Sequence, residues 1–261
     1  MEEIVMLPQP LFLNVHMYGI MIAVGVLFCF GVLYGYAKRL KLNEKLADFV
    51  FYDGVLSILV GFGAAALFQA VYNYIEHPEK GFHLDGGITF IGGLIGGAGC
   101  FLLVYLFFRR RLPDRLWAIL PVIPCCITVA HGFGRVGCFF AGCCYGKESD
   151  CIFAVKFPGM SHAVHPTQLY EAVFLFLLFA LLSYLLLRHR FAYTMSVYLV
   201  AYGVFRFLIE FLRGDDRGTF IGTLSPSQFW SLLMVVAGVL VYFWQKHAEK
   251  NTPASQNPAA A

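Results

Sequence analysis

The segment 131–146 reads HGFGRVGCFFAGCCYG and brings a histidine, an arginine and three cysteines close together in an apolar chain. Arg135 has no acidic neighbour in sequence. Its guanidinium therefore points to an external anion, with bidentate phosphate binding favoured over a structural pair. His131 lies four residues earlier, on the same face if a helix continues. It is read either as a hydrogen-bonded core residue or as a general base. Cys138 lies three residues after Arg135, where a cation raises the thiolate fraction. The glycines Gly132, Gly134 and Gly137 formally match GxGxxG. A dinucleotide site is excluded, because that motif needs a preceding strand and a βαβ frame.

A second set of charges sits in AYGVFRFLIEFLRGDDRG. Arg206, Glu210 and Arg213 are spaced by four and three, which places them on one helical face. An arginine at a helix centre in lipid costs at least ~2.5–3.5 kcal/mol, so it must face a partner or a polar cavity. Two readings follow: a structural Arg206–Glu210 pair, or an anion site for phospholipid headgroups.

The elements that carry these groups are membrane helices. The chain has 261 residues, of which 59% are hydrophobic and only 13% charged. A soluble domain carries about twice that charge. A bilayer core of ~30 Å needs about 20 helical residues per crossing. Seven stretches qualify, at roughly 14–37, 49–74, 90–108, 116–134, 167–187, 194–212 and 227–245. The first is read as a retained helix, not a cleaved signal, because Glu2 and Glu3 precede it and it is too long.

Lys38, Arg39, Lys41, Lys45, Arg109, Arg110, Arg111, Arg115, Arg188, Arg190, Lys246 and Lys250 all fall on one side of this arrangement. That side is expected to be cytoplasmic. The fold class is thus an all-α integral membrane protein of seven transmembrane helices, N-terminus outside and C-terminus inside. Residues 1–245 are expected to form a single domain, with 246–261 a disordered cytoplasmic tail. The net charge of +3 does not mark a nucleic-acid partner.

Two outward loops stand out, 75–89 and the longer 135–166, whose CIFAVKFP resembles a short strand before a turn. Gly92, Gly93, Gly96 and Gly97 repeat the GxxxG spacing twice. They serve close helix packing or a backbone surface that a lipid headgroup can approach. In HPTQLYE, Pro166 suits a first helical turn, and Gln168 and Glu171 line the cavity or cap the helix. Tyr18 supplies a hydroxyl or an interfacial anchor.

Of eight cysteines, Cys29, Cys100, Cys125 and Cys126 read as apolar packing. Cys138, Cys143, Cys144 and Cys151 cluster at the longer loop. Disulfide staples are the first reading. A reactive thiol near Arg135 is the second. A metal site is the third, and none is expected, since C-x4-C-C-x6-C lacks paired C-x2-C spacing.

Taken in order, HMYGIM, DGGITFIGGLIGG, PVIP with GRVGCFFAGCCYG, HPTQLYE, YGVFRFLIEFLR and LSPSQFWSLLMVVAG resemble the prolipoprotein diacylglyceryl transferases of bacteria. The resemblance implies a seven-helix enzyme of the bacterial cytoplasmic (inner) membrane. Such an enzyme moves diacylglyceryl from phosphatidylglycerol to a cysteine thiol of a secreted pre-lipoprotein, releasing glycerol phosphate. It implies phospholipid binding at Arg135, with the family's second key arginine at Arg206 and its helix 1 tyrosine at Tyr18; Gly137, Gly142, Gly146, Gly92 and Gly93 are added, from the residues themselves, as places where a headgroup can approach the backbone. Beside Arg206 and Tyr18, the residues themselves offer His131 and Glu210 as candidate bases and Cys138 and Cys143 as candidate nucleophiles. No cofactor is implied, and a monomer among membrane lipids is expected.

This chain departs from the family pattern at defined places. Ile91 stands where the family has histidine, Cys138 where its GRxGN signature has asparagine, and Cys143 where its NGE has glutamate. The arginine of the family's GGRIG is missing from GFGAAAL. Two alternatives accompany the transferase reading: a lipid transferase using its own cysteine nucleophile, and a non-catalytic phospholipid-binding or redox-responsive protein.

Overall fold

A computed structural model describes residues 16–84, 89–112, 114, 116–214 and 224–250. It contains seven helices: α1 (Met17–Arg39), α2 (Glu44–Glu76), α3 (Phe90–Phe108), α4 (Ile123–Phe140), α5 (Thr167–His189), α6 (Thr194–Ile209) and α7 (Pro226–Lys250). The stretches 1–15, 85–88 and 251–261 lie outside the described residues, and with them Glu2, Glu3, the start of DGGIT and most of the expected tail. Residues 246–250, assigned to that tail, are the last turn of α7.

Among the described residues six helices are long and apolar enough to cross a membrane, and a shorter apolar helix, Gly92–Phe108, falls in α3. Their outer faces are apolar: Leu27, Leu103, Phe107 and Leu181 are exposed. Polar groups are turned inward instead, with Gln168, Glu171, Arg206 and Arg213 buried. In lipid that is the stable arrangement, because a polar group facing hydrocarbon has no partner.

The chain packs as two units, residues 41–119 and the remainder. The first is the α2–α3 pair. Its seam is built on the GxxxG glycines. A Cβ on Gly92 would meet Phe68 at 2.6 Å, and one on Gly96 would collide with Ala64. A Cβ on Gly61 would in turn lie 3.1 Å from the Gly93 carbonyl oxygen. Close backbone approach is what small residues provide between membrane helices. The surface that Gly92 and Gly93 were expected to offer a headgroup is therefore taken by α2. Thr89, at the start of α3, donates to Gln69 on α2 at 2.7 Å.

The second unit gathers α1 and α4–α7. Here the fourth helix differs from expectation. It runs 123–140, not 116–134, because Pro124 sits in its first turn and cannot donate to a preceding carbonyl. The glycines of GFGRVG do not end it. Arg135 and Cys138 therefore lie inside α4, and the connection to α5 begins only at Ala141.

That connection has its own small core of Phe139, Val155, Phe157 and Val164, with Tyr145, Met160 and Leu169 against it. Val155 and Val164 exchange two backbone hydrogen bonds of 3.0 Å. The pairing stops at isolated bridges, and no strand forms among the described residues. CIFAVKFP thus supplies one bridge in place of the short β-element read from its sequence. The turn at Gly159, with φ +82°, returns the chain too soon for a ladder to extend.

Candidate active site

The site is assembled in the second unit by α4, α5, α6 and the segment that leads into α7. Along α6 and its last turn, Tyr198, Tyr202, Arg206 and Glu210 recur every four residues and so share one face. Across from them α5 presents Glu171, which is 1% exposed. Tyr202 donates to Glu171 Oε1 at 2.7 Å. Arg135 Nε lies 3.1 Å from Oε2, and His131 Nε2 lies 3.6 Å from Oε1. The His131 ring meets Tyr202 edge-on, with centroids 5.3 Å apart. Arg135 thus has a carboxylate partner after all, from a helix whose proximity its own sequence neighbourhood could not reveal. A buried carboxylate of this kind is tolerable only with such partners.

A second ionic group lies one turn further along α6. Arg206 Nη2 is 2.8 Å from Glu210 Oε2 and donates to Ser227 Oγ at 3.1 Å. Arg213 Nε is 4.0 Å from the same carboxylate oxygen, and Ser225 donates to Glu210 Oε1 at 3.0 Å. Glu210 lies in a 3-10 turn, Glu210–Leu212, in place of a continued α-helix. The two groups are electrically joined, since Arg135 and Arg206 both act on Glu171 and on His131.

Two guanidinium atoms in this interior keep unused capacity. Arg206 Nη1 and Arg135 Nε are buried, and neither has an aligned hydrogen-bond acceptor among the described residues. Arg135 Nε is close to Glu171 but not directed at it. A buried charged donor without an acceptor costs about 1–3 kcal/mol or more. An anion between the two arginines removes that cost, and a phosphate has the oxygens for both.

The thiols adjoin these charges, Arg135 acting on Cys138 and Cys144. The C-terminus of α4 is a Schellman motif: Gly142 N donates to Phe139 O at 3.1 Å and Cys143 N to Cys138 O at 3.2 Å, with Gly142 at φ +65°. This motif brings the side chains at its two ends together, and here those are Cys138 and Cys143. Cys144 follows, also left-handed at φ +64°. The buried start of α5 holds the turn, Gln168 donating to Cys143 O and Thr167 to Cys144 O, both at 2.8 Å. The Cys138, Cys143 and Cys144 sulfurs all lie within 4.8 Å of one another. Hydrogen bonds from Cys138 and Cys143, with a further one from Arg213, hold the Cys144 thiol well below the usual thiol range. All eight cysteines are free thiols, so the disulfide staples of the first reading do not form. Cys151 stands apart from the trio's hydrogen bonds, with its sulfur 3.6 Å from His165 Nδ1.

The remaining expected residues take mixed places. Tyr18, in the first turn of α1, packs on Gly137, whose added Cβ would lie 3.2 Å from its ring. It is within electrostatic range of Arg135 and the three thiols. Gly146 bridges to Arg213, and a Cβ there would press on the Leu212 carbonyl. Gly137, Gly142 and Gly146 therefore shape the backbone around the thiols and Arg213. Sequence reading passed over Tyr202, Ser225 and Ser227. The four-residue rhythm backward from Arg206 was the signal for Tyr202.

Comparison with known proteins agrees along nearly the whole chain. Residues 6–244 match the family described as prolipoprotein diacylglyceryl transferase. The chain is 37% identical over 239 residues to the phosphatidylglycerol–prolipoprotein diacylglyceryl transferase of Clostridium tetani (strain Massachusetts / E88), covering 88% of this chain and 93% of the relative. It is 32% identical over 240 residues to the second such enzyme of Clostridium perfringens (strain 13 / Type A), covering 88% and 91%. It is 34% identical over 255 residues to that of Pseudoalteromonas translucida (strain TAC 125), covering 92% of each. With residues 6–244 matching the family and relatives up to 37% identical along most of both chains, this chain belongs to the prolipoprotein diacylglyceryl transferase family.

Proposed function

We propose that the chain transfers a diacylglyceryl group from phosphatidylglycerol to the cysteine thiol of a pre-lipoprotein. The observation that carries this reading is the pair of buried donors, Arg135 Nε and Arg206 Nη1, that lack aligned acceptors in one polar interior. A phosphodiester bridging them would be held by charge-assisted hydrogen bonds. As the thiol attacks the glycerol carbon, the C–O bond to phosphate breaks and charge grows on the departing glycerol phosphate. Donors already fixed at that position stabilise it without reorganising. Glu171 and Tyr202 keep Arg135 in place, and Glu210 with Ser227 keeps Arg206 in place. Gly137 lets α1 approach, so that Tyr18 reaches the same pocket.

The attacking thiol must lose its proton. Ile91 offers no basic group. Glu210 is held by Arg206, Arg213 and Ser225. Among the side-chain candidates His131 remains, with Glu171 to offset the charge it would gain. The surrounding topology in this reading has seven crossings, α3 included, with the N-terminus outside the cytoplasmic membrane. Residues 1–245 act as one monomeric domain. The test supplies labelled phosphatidylglycerol and a lipobox peptide to protein in detergent. A thioether-linked diacylglyceryl peptide is expected. No product, under conditions where the Clostridium tetani relative makes it, overturns the reading.

A further inference from the structure

The three thiols are unexplained by lipid binding. They stand close together, two of them where the family pattern has asparagine and glutamate, and the Schellman turn aims them at one another. Three sulfurs around a zinc ion at Zn–S distances near 2.3 Å lie about 3.8 Å apart in tetrahedral geometry. The trio, with every separation within 4.8 Å, needs a contraction of about 1 Å at most. Cys143 is exposed and sits outside the helix, so the adjustment falls on its side chain. The missing C-x2-C spacing is no obstacle, because the turn at Gly142 does the work of that short link.

Charge favours the same ion. Three thiolates on a divalent ion leave a net negative charge. Arg213 hydrogen-bonds Cys144, and Arg135 acts on Cys138 and Cys144. Two guanidiniums thus flank the sulfurs. Among the described residues three protein ligands converge, and the cluster is partly open to its surroundings. That is the pattern of a catalytic zinc site, which keeps its fourth position for water or substrate; structural sites close with four.

We propose that Cys138, Cys143 and Cys144 bind a zinc ion whose fourth position takes the acceptor thiol and activates it for transfer. The site itself stands on the three sulfurs; its role in transfer rests on the function proposed above. On coordination the acceptor S–H bond breaks and its proton goes to solvent. The zinc-bound sulfur then supplies the electron pair for the new C–S bond. The C–O bond to phosphate breaks, and glycerol phosphate leaves with the pair that formed that C–O bond. The thioether product is a weak ligand and dissociates, and water returns. No oxidant or reductant is consumed. The metal thereby relieves His131 of taking the acceptor proton.

The experiment uses the full-length protein in detergent, reduced and stripped with a chelator, then titrated with cobalt(II) as a spectroscopic stand-in for zinc. One equivalent should bind, with a sulfur-to-cobalt charge-transfer band and tetrahedral ligand-field bands. Zinc should displace it. A lipobox peptide should shift the ligand-field bands, and its Cys→Ser counterpart should not. Cys143→Ser, on the exposed member, should lose the charge-transfer band with helix content intact, and Cys151→Ser should keep it. Stripping zinc should slow transfer about 30-fold, the gap between a fully ionised thiol and an ordinary one at neutral pH. Stoichiometric binding that survives Cys138→Ser/Cys143→Ser/Cys144→Ser overturns the site. So does the absence of a charge-transfer band at saturating cobalt. Full-rate transfer by stripped protein overturns the metal and leaves the transferase standing. A cobalt spectrum that answers the peptide thiol with no lipid transferred keeps the site and removes the transferase.

Discussion

The α2–α3 pair and the α4–α5–α6 group solve the same problem in opposite ways. Both must hold helices together in a solvent as apolar as their own side chains. The α2–α3 pair does so by closeness. Gly61, Gly92 and Gly96 remove side-chain volume until the backbones nearly touch. The α4–α5–α6 group does so by charge. Glu171 and Glu210, both nearly inaccessible, are gripped by Arg135, His131, Tyr202, Arg206, Arg213 and Ser225. A glycine seam is finished when it closes and leaves nothing to react. A charged interior can be left one acceptor short, and Arg206 Nη1 and Arg135 Nε are left so. The lesson is that the half proposed to carry the reaction is the half held together by ions.

The contrast can be broken most sharply at Arg206. Arg206→Ala should lower transfer about 1000-fold, the loss typical of removing a donor aimed at developing negative charge. The labelled-lipid assay reads it, and an unimpaired variant would return Arg206 to a purely structural role. Glu171→Gln should follow, with a stability loss of about 3 kcal/mol, because Arg135 stays buried while its ionic partner is gone. Thermal unfolding in detergent measures it. Gly96→Val tests the other half. Overpacking against Ala64 should cost about 1–3 kcal/mol in the same unfolding experiment. Tyr202→Phe removes one hydrogen bond to a charged carboxylate and should cost about 2 kcal/mol. The smallest effect is expected at Gly99, where an added Cβ meets nothing within 4 Å. Gly99→Ala should be neutral or stabilise α3 by up to about 1 kcal/mol through helix propensity. A large loss there would mean the seam extends further than the glycine contacts indicate.

Much of this was legible in the residues. Long apolar runs placed six of the seven helices within a few residues, because lipid forces the whole backbone of a crossing segment into one helix. The fourth was misplaced for a local reason. Apolar residues begin at Leu116, but Pro121 and Pro124 delay the helix, and the chain from Arg135 onward was read as a loop. The i, i+4 pair of Arg206 and Glu210 was visible because both residues lie on one helix. The Arg135–Glu171 pair was not, since 36 positions separate the two in sequence. The thiols show the same limit. Their spacing argued against a metal, because spacing alone does not include the left-handed residue at Gly142 that turns Cys143 back toward Cys138.

By itself, then, the sequence determined the solvent, the helices and the family. These follow from hydrophobicity and ordered motifs, which are properties of segments read one at a time. Only the tertiary structure decided which buried charges neutralise one another, which donors stay unmet and which sulfurs meet. Coulomb attraction and hydrogen bonding act over a few ångströms of space, and neighbours at that distance are chosen by how helices pack, not by how far apart their residues lie along the chain.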